Sequence, residues 1–91
     1  MHARPRLPGA ELVDRGIGDL ARGEESTESL LVSIGARRLE TIGHTLATPI
    51  PSPEHRLYGR LAVEDADAAH SRYNALIRRL VSYERAAECA S

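Results

Sequence analysis

The residues whose type and spacing suit chemistry fall mostly between positions 65 and 90. Asp67 and His70 stand at i and i+3, which on a helix brings a carboxylate and an imidazole to one face. Helical metal sites use that spacing, with further ligands from neighbouring helices. Neither His44, at a helix end, nor His55, in a first turn, belongs to a second motif of this kind. Glu84 lies among apolar positions, where burial would raise its pKa toward general acid or base work. His70 and Glu84 are therefore the residues a metal-binding or hydrolytic domain would use. They are fourteen residues apart, about 21 Å along one helix, so only an antiparallel second copy of that helix brings them together. Ser71 beside His70 does not make a triad, because helical neighbours in sequence point in different directions. The expectation is a non-catalytic chain with no cofactor and no metal.

All 12 basic residues are Arg, and Lys is absent. GC-rich coding explains that bias, as would selection for planar, multidentate donors at ion pairs. Arg37 and Arg38 are the expected partners of Glu84, since a buried carboxylate left unpaired is costly. Residues Thr27 to Gly43 also resemble a helix-turn-helix, with Gly35 in the turn and Arg37 and Arg38 opening a recognition helix. That resemblance implies a small DNA-binding regulator. Leu31 departs from it by standing where such motifs take a small residue, and Gly43 ends the second helix early. One continuous helix with Gly35 inside it accounts for the same spacing. A formal net charge of −1 argues against unspecific tracking along nucleic acid or an acidic membrane.

Helices must position these side chains. The longest pattern puts Ala66, Ala69, Tyr73, Leu76, Leu80, Tyr83, Ala87 and Ala90 at alternating steps of three and four, which predicts a helix over about 66–90. Asp65 is its expected cap. The apolar arc of this helix, roughly 180° wide, is broader than one neighbour covers and predicts a central place in a bundle. His70 and Asn74 lie at its edge beside Ile77. Tyr73, Leu76, Ile77, Leu80 and Tyr83 are the expected core or interaction seam, and His70, Asn74, Glu84, Arg37 and Arg38 the expected buried polar residues. Cys89 falls on the outer face.

Three shorter helices precede it. The first is expected over about 10–22, with Leu12, Val13, Ile17, Leu20 and Ala21 on one face and Gly23 as its stop. Gly16 and Gly18 inside it either weaken it or let a neighbour approach. The second runs over about 27–42, capped by Ser26. A Pro-rich connector at 43–52 follows, with Leu46 and Ile50 free to plug gaps in the core; it reads as a linker, with a polyproline ligand as the alternative. Ser52, Pro53 and Glu54 open a third helix over about 53–63, with Leu57, Tyr58, Leu61 and Ala62 inward.

The 91 residues fit one domain, a flexible arm at 1–8 followed by a single helical unit at 9–91. The fold class expected is all-α, a small bundle of four helices. With no Phe or Trp, the core is left to Leu, Ile, Val and small residues between closely packed helices. So small a core favours oligomerisation. The expected function is a helical protein–protein interaction module that pairs with itself as a homodimer and with a further protein partner. A single Cys leaves no intramolecular disulfide, and neither a secretory leader nor a membrane span is apparent, so the expected location is cytoplasmic.

Overall fold

Ser29, Leu30, Leu31, Val32 and Ser33 are five consecutive buried residues, and a helix with no exposed face needs neighbours all round. In the computed structural model, which describes residues 7–90, that segment lies at the centre of an all-α bundle. The helices among the described residues are α1 (Ala10–Ala21), α2 (Thr27–Ile34), α3 (Ala36–Thr41), α4 (Pro53–Glu64) and α5 (Ala69–Ala90). Helix α2 touches the other four. The central helix is thus α2 and not the long C-terminal one, because α2 has no exposed residue while α5 keeps an exposed outer face. The arm expected at 1–8 lies outside the described residues except for Leu7 and Pro8. Leu7 packs against the core, and its carbonyl accepts from the Ala10 N–H at 3.0 Å.

Small residues set the tightest contact. A Cβ built on Gly16 would stand 2.3 Å from the Glu28 carbonyl oxygen and 2.6 Å from Val32 Cγ1, so α1 and α2 meet backbone to backbone. Ser26 caps α2: its Oγ accepts from the Ser29 N–H at 3.0 Å, while Ser29 Oγ accepts from the Ser26 N–H at 2.7 Å. That reciprocal pair satisfies two donors at the helix start. The Ser26 hydroxyl also donates to Asp19 Oδ2 at 2.7 Å, tying the cap back to α1.

The helix expected over 27–42 is divided at Gly35, which serves as C-cap of α2 and N-cap of α3. The connector after α3 behaves as a strap. Leu46 and Ile50 pack on the core, and the Ile50 N–H donates to Ser33 Oγ at 3.1 Å. The same hydroxyl donates to the Ser29 carbonyl at 2.7 Å, so one buried side chain holds the strap to α2. Helix α4 opens with Pro53 in its first turn, but Ser52 adopts φ 50° and makes no side-chain cap. Of its expected inward set, Leu57 and Leu61 are buried, while Tyr58 is 39% exposed.

Helix α5 starts three residues later than its apolar spacing predicts. Asp65 Oδ1 accepts from the N–H groups of Asp67 (3.1 Å) and Ala68 (3.3 Å), which closes a turn over 66–68 in place of the first helical residues. From Ala69 the helix is unbroken to Ala90. Ala69, Leu80 and Tyr83 are buried, and Leu76, Ile77 and Val81 are half-buried. No helix of the described residues is long and apolar enough to cross a membrane.

Candidate functional site

The break at Gly35 shapes the most chemically distinctive surface of the molecule. It turns α3 along the C-terminal half of α5 and leaves a groove of about 550 Å³ between them. Ile34, Ile77, Leu80 and Val81 supply apolar walls, Arg37, Arg38 and Thr41 stand on the α3 side, and Glu84 and Glu88 on the α5 side. Gly35 is required here for space. A Cβ in its place would meet Glu84 Oε2 at 2.8 Å and the Leu80 methyls at 3.0 and 3.2 Å.

Glu84 is 4% exposed. Its cationic contact among the described residues is Arg38, whose Nη1 lies 4.0 Å from Oε1, beyond hydrogen-bond length. Arg38 Nη2 pairs more closely with Glu88. The Glu84 carboxyl is held above its ordinary range, first by burial; Arg38 pulls it down and the nearby Glu88 charge adds to the rise. The hydrogen bond to Glu88 in turn raises the Arg38 guanidinium, against a smaller lowering by burial. The expected partnership of Glu84 with Arg38 therefore exists, but as a loose contact shared with a second acid. Arg37 makes no part of it.

The other expected polar residues are placed differently. Arg37, Arg38 and His70 are exposed and Asn74 is half-buried, so of the five expected buried polar residues only Glu84 is buried. The long Arg stems reach the groove rim and leave their heads in water. His70 lies two turns from the groove, where Asn74 Nδ2 approaches its Nε2 at 3.2 Å. Its ring and that of Tyr73 flank Tyr58 of α4, at centroid distances of 6.5 and 5.7 Å. Burial, and then the Glu54 charge, push the Tyr73 hydroxyl upward. Within one chain the structure does not bring His70 to Glu84. Among the described residues no group of three or more His, Cys, Asp and Glu is placed to hold a metal ion.

Two features had no warning in the pattern of residues. His44 Nε2 lies 2.6 Å from the Tyr83 hydroxyl, pinning the start of the strap to α5. Burial raises the Tyr83 hydroxyl above its ordinary range, and the Asp14 charge adds to that. A second cleft, of about 530 Å³, lies beside α4 along Arg56, Arg60 and Val63. The Arg56–Glu25 ion pair, 2.6 Å long, stands in it, and its apolar content is the single side chain of Val63, 88% exposed. It lacks the four apolar side chains and the buried acid that line the α3–α5 groove. Comparison with protein families, with curated proteins and with solved structures finds no match to this chain.

Proposed function

We propose that this chain is a non-catalytic helical protein–protein interaction module that acts as a homodimer through the α5 flank beside α3. The observation that carries the reading is the apolar stripe of Ile34, Ile77 and Val81, half-exposed along the open groove. A small domain gains stability by covering such a stripe. Its shape also suits the role: at 43 × 25 × 23 Å it offers the long side of α5 to a neighbour. Catalysis by His70 and Glu84 would need both in one pocket with other polar groups, and within one chain they lie at separate places on α5.

Light scattering across micromolar concentrations is expected to return twice the 9.9 kDa chain mass. A stable monomer throughout overturns the homodimer. Ile77→Ser with Val81→Ser is expected to give a monomer of unchanged helicity, because both side chains are half-exposed in the single chain.

A second reading, a small DNA-binding regulator using residues 27–43, draws support from the division at Gly35, which leaves α2 and α3 as separate short helices. It is weaker on two counts. One residue joins the helices where the motif uses a turn of about three or four, and Arg38 is engaged by Glu88. Duplex binding at low salt that weakens steeply with added salt, and is lost on Arg37→Ala with Arg38→Ala, would favour it.

A further inference from the structure

His70, Asn74, Ile77, Val81, Glu84 and Glu88 follow one another at steps of four, three, four, three and four, a spacing that keeps one line along a helix. The line runs along the flank of α5 that borders the groove beside α3, and its two ends differ in chemistry. The N-terminal end carries an imidazole and the C-terminal end two carboxylates, with Ile77 and Val81 between them. Such a line is complementary to itself when reversed. His70 and Glu84 each stand seven residues from Ile77, so an antiparallel copy centred on Ile77 sets each His70 opposite the other chain's Glu84.

We propose that a second copy of this chain docks antiparallel along this line, with Ile77 at the two-fold axis, and that the partner subunit's His70 completes the groove over Glu84. The proposal rests on the self-association argued above and assigns its register and polar contact. Glu84 supplies the reason. It is 4% exposed, its contact with Arg38 is 4.0 Å long, and the groove it lines sets Ile34, Ile77, Leu80 and Val81 beside Arg37, Arg38, Thr41 and Glu88. A buried carboxylate in that setting is stabilised by any N–H donor brought to it. The exposed His70 imidazole can supply one. When Asn74 Nδ2 donates to His70 Nε2, across 3.2 Å, the ring proton resides on Nδ1, which then acts as a donor. Two-fold symmetry makes the contact twice, once at each end of the seam, and opposed helix dipoles favour the antiparallel sense.

The test uses the full chain with Cys89→Ser, since the native thiol is exposed. His70→Cys protein is mixed with Glu84→Cys protein and treated with a short bismaleimide. The proposal expects a mixed cross-link between the two and little self-linking of either, because like positions lie about 21 Å apart in this register. His70→Cys with Glu88→Cys, both exposed and on the same line of α5, one helical turn from the first pair, repeats the test without touching the buried acid. Self-linked products without the mixed one, or no product from a chain that is dimeric by light scattering, overturn the register and leave self-association standing. A monomeric native chain overturns both. Separately, His70→Ala and Glu84→Gln are each expected to weaken the dimer about tenfold, and the double variant no further than the worse single one. Independent, multiplying losses overturn the contact between the two side chains.

Discussion

An alanine at position 16 would drive a methyl group to 2.3 Å from the Glu28 carbonyl oxygen, where backbone on both sides leaves nothing free to yield. Gly16→Ala is expected to destabilise the chain by about 2–3 kcal/mol through forced separation of α1 and α2. Gly59→Ala is the opposite case. Nothing lies within 4 Å of a Cβ there, the site is exposed on α4, and a gain of about 0.5–1 kcal/mol is expected from helix propensity. Denaturant midpoints of the two variants check both signs. Glu84 gives a pH dependence. Its folded carboxyl keeps a proton at pH values where the unfolded chain, near the ordinary 4.5, has lost it. The stability linked to this group is therefore fully present at acid pH, and it falls as pH rises from that ordinary value to the raised folded one. Glu84→Gln mimics the protonated form. In the monomeric Ile77→Ser, Val81→Ser background, its advantage over Glu is expected to be near zero at acid pH. By neutral pH the Gln variant should be the more stable of the two. Melting curves at several pH values measure it, and a less stable Gln variant at neutral pH would mean that Arg38 outweighs burial.

Among the elements, the strap after α3 depends on a single hydroxyl. Ser33→Ala would leave the Ile50 N–H without its acceptor, at an expected loss of about 1–2 kcal/mol. Hydrogen exchange should show the Ile50 amide losing protection before the amides of α2 do. The boundaries of the helices show where sequence reasoning works. Gly23 and Ser26 mark an end and a start by capping chemistry, which is local, and both are where the residues indicate. Gly35 is different: a glycine inside an apolar period is compatible with a bent or a straight helix. Its division here goes with the Glu84 carboxylate and Leu80 methyls pressed against its Cα, contacts from a helix about fifty residues away in sequence. The start of α5 was likewise taken by Asp65, whose side chain closed a turn instead of the helix itself.

For the whole molecule, the self-association proposed above predicts a concentration-dependent melting temperature. A dimer whose partner binds only the folded chain gains stability with total concentration. The native chain is therefore expected to melt higher as its concentration rises, and the Ile77→Ser, Val81→Ser variant to melt at one temperature throughout. Differential scanning fluorimetry over a hundredfold dilution series distinguishes them.

The residues alone determined that this chain is helical, that Ser26 caps a helix, that Leu80 and Tyr83 face inward, and that Glu84 intrudes on an apolar face. Each of these follows from periodicity and capping, interactions spanning at most a few residues. Tertiary structure decided that α2 and not α5 is central, that α3 turns along α5 at Gly35, that His44 meets Tyr83, and that Tyr58 and His70 remain at the surface. Those outcomes depend on which flank of an amphipathic helix a distant segment covers. A 3.6-residue period says that a face is apolar, but it carries no information about which neighbour arrives or how closely.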